Sequence, residues 1–154
     1  MDHNNQISSC SYPQAHGQAA DMLARMRTTL LEPSTSTKAL GAAGEQYAAY
    51  TLIARDWHLI AANWRTRYGE IDLIMLADDL TLVFVEVKTR RSSRFGSPQE
   101  AVHVGKQAAL HKTARLWLNE HQDNRPYYHA IRFDVMSIEI GGGDIKVRHI
   151  PGAF

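Results

Sequence analysis

Two apolar runs separated by three residues constrain this chain more than any other feature. Gly69-Glu70-Ile71-Asp72-Leu73-Ile74-Met75-Leu76-Ala77 and Thr81-Leu82-Val83-Phe84-Val85-Glu86-Val87-Lys88-Thr89-Arg90 flank Asp78-Asp79-Leu80. The second is rich in β-branched and aromatic residues, the first in Ile, Leu and Met, and the residues between them favour a turn, so the pair reads as a β-hairpin. Alternate residues of a strand share a face. Glu86 and Lys88 therefore point the same way as Leu82, Phe84 and Arg90, while Val83, Val85 and Val87 make a wholly apolar opposite face. On the first strand, Glu70, Asp72, Ile74 and Leu76 share one face, and Ile71, Leu73 and Met75 the other. A three-residue loop pairs Ala77 with Thr81, sets Asp72 opposite Glu86 and sets Glu70 opposite Lys88. A two-residue loop sets Asp72 opposite Val85 and mates charged with apolar positions along the whole hairpin. The three-residue loop is expected.

That register brings two carboxylates to about 4.5–5.5 Å at Cα. Their repulsion is roughly 3 kcal/mol at an effective dielectric near 20. Like charges directly opposite do not stabilise a sheet, and charged groups are rarely buried unpaired. Lys88 can neutralise one carboxylate and protonation the other. A divalent cation does both, since hard oxygen ligands suit Mg²⁺. The alternative is an ion-paired strand end exposed at a sheet edge. Glu45 adds a third carboxylate. Helical spacing aligns it with Gly41, Ala48, Ala49 and Leu52, at the border of an apolar stripe. It either faces the sheet or reaches water as an ordinary boundary glutamate.

Residues 1–37 are rich in Ser, Thr, Asn and Gln and close with Pro33-Ser34-Thr35-Ser36-Thr37. Met22, Leu23, Met26 and Leu30 sit at roughly helical spacing. The segment reads as a mostly disordered extension with one marginal helix, ahead of a domain over residues 38–154. Initiation at Met22 or Met26 is a second reading. A helix is expected over Lys38–Arg55, and a strand over His58–Trp64 precedes the hairpin. Ser97-Pro98-Gln99-Glu100 has the form of a capping box with Pro in the first helical position, opening a helix to about Asn119. Strands over Tyr128–Ile140 and, after Gly141-Gly142-Gly143-Asp144, through His149 complete an αβββαββ order, an α/β fold with a mixed sheet.

With 154 residues the chain can bury a normal core. Seventeen Lys and Arg against sixteen Asp and Glu favour no partner by net charge. Locally the balance differs, because residues 81–115 carry seven basic residues against Glu86 and Glu100. Beside carboxylates, such a field suits phosphate; a solvated loop and helix face is the alternative. Cys10 is the only cysteine, which excludes a disulfide framework and a cysteine-based zinc site. The start lacks the basic and apolar regions of a signal peptide, and no apolar run is long enough for a membrane span. The chain reads as cytoplasmic.

Asp72, Glu86-Val87-Lys88 and the upstream helical Glu45 resemble the PD-(D/E)XK nuclease superfamily and its restriction-endonuclease-like αβββαβ core, a mixed central sheet with flanking helices. More closely, Gly44-Glu45, Gly69-Glu70-Ile71-Asp72-Leu73-Ile74, Val83-Phe84-Val85-Glu86-Val87-Lys88, Phe95-Gly96 and Arg132-Phe133-Asp134-Val135 resemble the YraN family of bacterial proteins. That family is similar to archaeal Holliday-junction resolvases. The likeness covers about residues 38–150 and leaves 1–37 aside. It implies that Asp72 and Glu86 ligate Mg²⁺, or Mn²⁺ in its place, with the Val87 carbonyl. It also implies that Lys88 orients or helps deprotonate the attacking water, and that Glu45 holds a water or second ion. Ile71 stands before Asp72 where the superfamily motif has Pro. Glu70 is an additional acid, placed to salt-bridge Lys88.

Arg90, Arg91 and Arg94 follow the second strand of the hairpin, where they suit salt-sensitive contacts to a phosphate backbone. Lys106, early in the second helix, suits the same role; solvated side chains are the alternative for all four. Trp117 belongs to the core with Leu110 and Leu116. Arg132 and Asp134 share a strand face as a structural ion pair. His58, His103, His111 and His129 form no ligand-type pair. The leading expectation is a Mg²⁺-dependent endonuclease acting on DNA, including branched or repair intermediates. The alternative is a nucleic-acid-binding module of the same fold with little or no catalysis. The resolvase likeness also implies a homodimer.

Overall fold

The computed structural model describes residues 16–91 and 104–154. Two helices, α1 (His16–Leu31) and α2 (Thr37–Ile53), precede strands β1 (His58–Thr66), β2 (Gly69–Leu76) and β3 (Thr81–Arg91). Helix α3 (Val104–Glu120) then crosses to β4 (Ala130–Gly141) and β5 (Asp144–Ile150). The five strands form one sheet in the order β1-β2-β3-β4-β5. β3 and β4 run parallel, as a helical crossover requires, and the other pairs are antiparallel. The result is a mixed α/β fold consistent with a restriction-endonuclease-like core.

The hairpin has the expected three-residue loop. Ala77 N–H donates to the Thr81 carbonyl (2.9 Å), and Leu80 N–H donates to the Ala77 carbonyl (3.0 Å). Leu80 closes the turn in the left-handed region at φ 61°. Pairing runs Leu76↔Leu82, Met75↔Val83, Ile74↔Phe84 and Leu73↔Val85, then stops. The last recorded pair thus lies one step short of Asp72 and Glu86.

Helices cover both faces of the sheet. Leu73, Met75, Val83, Val85, Val87, Met136 and Ile138 pack on one side with Ala43, Ala48 and Leu52 of α2. Ile74, Leu82 and Phe84 pack on the other with Leu110, Ala114 and Trp117 of α3, and Trp117 meets Phe84 edge-on at 6.0 Å. Strict alternation assigns Ile71 to the side of Leu73, but Ile71 packs with Ile74 on the α3 side. α2 starts where Ser36 accepts the Ala39 N–H at 3.3 Å. It lies so close to the sheet that a Cβ added at Gly44 would overlap the Thr89 side chain. Only glycine allows that approach without a shift.

Residues 16–31 hold the helix expected within the extension, and it is firmer than the marginal one foreseen. They form a full helix whose Ala19 and Leu30 are completely buried, with Met22, Leu23 and Met26 packed on the same cluster. Arg27 bonds Asp144 of β5 at 2.9 Å, and the Arg91 guanidinium donates to the Glu32 carbonyl at 2.6 Å. An apolar stripe too weak to hold an isolated helix is held by a surface to pack on. The Ser97–Glu100 capping box and Phe95-Gly96 lie outside the described residues. Among the described residues no helix is long and apolar enough to cross a membrane.

Candidate active site

β2 holds its pairing to β1 past the point where it leaves β3. Ala62↔Leu73 and Trp64↔Ile71 bracket Asn63 and Asp72, and Asn63 adopts φ 53°. Asparagine is among the few residues that take this conformation readily. The irregularity coincides with the break in alternation at Ile71. It leaves Asp72 at the fork between two separating strands.

There the Asp72 carboxylate does what the missing ladder would have done. It is 6% exposed, and its Oδ2 accepts the Val87 N–H at 2.7 Å. The N–H and C=O of one strand residue point to the same side, so the Val87 carbonyl faces the Asp72 edge as well. Glu86 is 2% exposed. Its Oε1 accepts from the Lys88 ammonium at 2.6 Å and from the Lys106 ammonium of α3. Its Oε2 is buried with no hydrogen-bond partner among the described residues. A buried carboxylate oxygen left bare is costly and needs a reason.

The electrostatics are those of crowded acid groups. Burial, then the Glu86 charge, pushes the Asp72 carboxyl up to about 7, against the pull of the Val87 N–H. Glu45, half-buried on α2, is raised first by burial and further by Glu70 and Glu86, while a hydrogen bond with Asn63 lowers it. Burial pulls the Lys88 ammonium down against the opposing effect of Glu86. Burial pulls Lys106 down too, but its bond to Glu86 outweighs this and the net shift is upward.

Asp72, Glu86, Val87, Lys88 and Glu45 are thus brought to one end of the sheet. Lys106, expected to face a phosphate backbone or solvent, bonds Glu86. Glu70 does not reach Lys88; it pairs with Arg65, its cross-strand neighbour on β1, at 3.0 Å. The hairpin register alone could not show this competing partner. Arg91 turns to Glu32, and with Arg90 it lines a cleft shared with Pro33, Thr35, Thr37 and Thr89. Arg94 and His103 lie outside the described residues. The sequence pattern does not single out Asn63, although an asparagine inside a strand pattern is itself a signal of irregularity.

Arg132 and Asp134 form the expected ion pair, with Nε to Oδ1 at 2.8 Å and Nη2 to Oδ2 at 2.9 Å. Asp134 also bonds His149 Nε2 at 2.7 Å and accepts the Gly152 N–H at 3.0 Å, which ties down the C-terminal segment. His111 packs on Phe133, ring centroids 4.1 Å apart.

Among the described residues no three His, Cys, Asp or Glu side chains converge on one metal position. Two carboxylates and one carbonyl are the donors this site offers, a hard-oxygen set suited to a cation that keeps much of its water.

The sequence of the described site matches a known family. The model of Uncharacterised protein family UPF0102 matches residues 44–138, which span all of these side chains. The chain belongs to UPF0102, the YraN family. A UPF0102 protein of Bifidobacterium longum (strain NCC 2705) is 49% identical over 117 residues, covering 76% of this chain and 94% of that protein. UPF0102 proteins of Syntrophomonas wolfei and Rhodococcus jostii are 46% and 45% identical, each over 75% of this chain and 96% of their own length.

Proposed function

We propose that this UPF0102 protein is a Mg²⁺-dependent endonuclease that hydrolyses phosphodiester bonds of DNA. One observation carries the reading: Glu86 Oε2 is buried beside Asp72 and has no partner among the described residues. Two ammonium groups already occupy Oε1, so a closed ion-pair network would leave no reason for a bare second oxygen. The residues fit a hard divalent cation, held by Asp72, Glu86 and the Val87 carbonyl. When bound, it supplies Lewis acidity toward the phosphodiester and a hydroxide-like nucleophile at neutral pH.

The chain's own groups account for the remaining requirements. Asp72 is fixed by the Val87 N–H, so its free oxygen has a defined direction. Lys88, next to Glu86 on the same strand face, neutralises charge on a phosphate oxygen and orients the attacking water. Its lowered pKa, from burial, eases loss of its proton and suits it to proton exchange with that water. Glu45, held by Asn63, faces the same charges and receives a proton more readily than an ordinary glutamate. The resemblance to resolvases supports branched or repair intermediates as substrates and Mn²⁺ as a substitute metal. The test is calorimetric Mn²⁺ titration of the purified protein. Binding that disappears in Asp72→Ala supports the site; binding of equal affinity in that variant overturns it.

A further inference from the structure

A second feature adjoins the carboxylates. A cleft of about 450 Å³ opens between the β1–β2 turn and α3, lined by Arg65, Tyr68, Gly69, Lys106, Ala109 and Leu110 among others. It is continuous with the carboxylate site through Lys106, which bonds Glu86.

The wall formed by the turn is built to hold its shape. The Thr66 hydroxyl accepts the Tyr68 N–H at 3.1 Å and donates to the Gly69 carbonyl at 3.3 Å. Gly69 takes φ +156°, a conformation side chains rarely adopt, and the turn lies beside α3, where an added Cβ would be in ordinary contact with Thr113 Oγ1 at 3.4 Å. Tyr68 is therefore presented at a fixed place. The Arg67 guanidinium lies 4.7 Å from its ring centroid and bonds its hydroxyl, and the Lys112 ammonium lies 3.5 Å from the centroid. Arg65 pairs with Glu70, and both side chains are largely exposed, at 72% and 50%. Such a pair contributes little to stability and exchanges easily for a phosphate. Two cations, Arg65 and Lys106, thus line the cleft with Tyr68, Ala109 and Leu110, and two more, Arg67 and Lys112, lie over the Tyr68 ring.

We propose that this cleft seats an unpaired nucleotide of the DNA strand next to the scissile phosphate. Its phosphate lies between Arg65 and Lys106, and its base packs on the wall made by Tyr68, Ala109 and Leu110. The protein therefore selects DNA with a single-stranded segment at the cut. The inference rests on the nuclease reading of the carboxylate site. A cleft of this volume takes about one or two nucleotides and no stack of base pairs. Bases splayed out of a duplex are the ones that stack on aromatic rings and guanidinium planes. Electrostatics alone would not prefer them to duplex.

The experiment is fluorescence anisotropy with the full chain in EDTA, which separates binding from cleavage. The probes are a blunt duplex and the same duplex carrying a single-stranded tail with 2-aminopurine at its first unpaired position. The parent should bind the tailed duplex more tightly and change the 2-aminopurine emission on stacking. Tyr68→Leu should weaken tailed binding about tenfold or more, lose the emission change and leave blunt-duplex binding unchanged. Should Tyr68→Leu fail to fold, exposed Arg67→Ala is the second variant, expected to weaken tailed binding by a larger factor than blunt-duplex binding. Equal binding of both probes by the parent overturns the proposal, as does tailed binding that is unaffected in folded variants. Tyr68-dependent tailed binding without cleavage under any metal would support the cleft while sinking the nuclease reading.

Discussion

Replacing Asp72 by asparagine should stabilise the metal-free protein, and the structure gives the size of the effect. Asp72 accepts the Val87 N–H, and an asparagine amide keeps an oxygen in the same place. The charge is what the fold resists. Burial and the neighbouring Glu86 raise the Asp72 carboxyl from 3.8 to about 7, so folding costs most when this group is ionised. At about 1.4 kcal/mol per unit, the penalty in the parent is on the order of 4 kcal/mol at pH 8. That figure already includes the pull of the Val87 N–H, and an asparagine oxygen accepts that N–H much as the protonated carboxyl does. The expected net gain for Asp72→Asn is therefore about 4 kcal/mol at pH 8. The sign with pH follows from a folded value above the unfolded one. The parent's relative stability is full below pH 3.8 and is lost progressively as pH rises through about 7. By pH 5 the variant's advantage should shrink to about 2 kcal/mol, because the unfolded carboxyl is still largely ionised there. Urea unfolding in EDTA at pH 5 and pH 8 measures both values. A variant less stable than the parent at pH 8, or an advantage that does not change with pH, would refute the reasoning. Such a gain in stability at the expense of a charged site is the trade-off expected where function, not folding, retains a group.

If the proposed mechanism holds, with the ammonium acting on the reacting groups, Lys88→Met should lower single-turnover cleavage by about a hundredfold or more while leaving DNA binding nearly intact. A rate within tenfold of the parent would remove Lys88 from the mechanism. Asp134→Ala should destabilise the fold by about 3–5 kcal/mol, because it strands Arg132 and removes the anchor of His149 and Gly152. Burial raises the Asp134 carboxyl, but its bonds to His149, Arg132 and Gly152 outweigh that and hold it below the usual range. Its contribution is therefore present above pH 3.8 and lost as pH falls through the folded value, so the gap in urea melts should narrow only in that acid window. A small, pH-independent loss would show that the pair is not an anchor.

The hairpin was legible because two simple rules, alternation and loop length, act on the same residues. Only one register sets the apolar face of Val83, Val85 and Val87 beside that of Leu73 and Met75, and Leu73↔Val85 follows from it. Glu45 was legible for a similar reason, as helical spacing set it beside the stripe that meets the sheet. What the sequence hid depends on a third element in each case. Glu70 has two candidate cations, and its choice of Arg65 follows from the β1–β2 pairing. Lys106 becomes a partner of Glu86 only once α3 docks on the Phe84 face. Asn63 carries a local signal, yet only the sheet shows that its left-handed turn faces Asp72. Helix α1 is weakly patterned by itself, and its order comes from burying Ala19 and Leu30 against the rest of the chain.

The central claim is that Glu86, with its bare buried oxygen, belongs to a metal-dependent nuclease centre. The direct measurement is cleavage of end-labelled DNA (blunt, tailed and four-way junction) by purified parent and Glu86→Gln protein, in Mg²⁺, in Mn²⁺ and with chelator. The account predicts strand cleavage by the parent in either metal, none with chelator, and none by a folded Glu86→Gln. Cleavage that persists in Glu86→Gln or in chelator, or a parent that binds Mn²⁺ and DNA yet cuts none of these substrates, would contradict it.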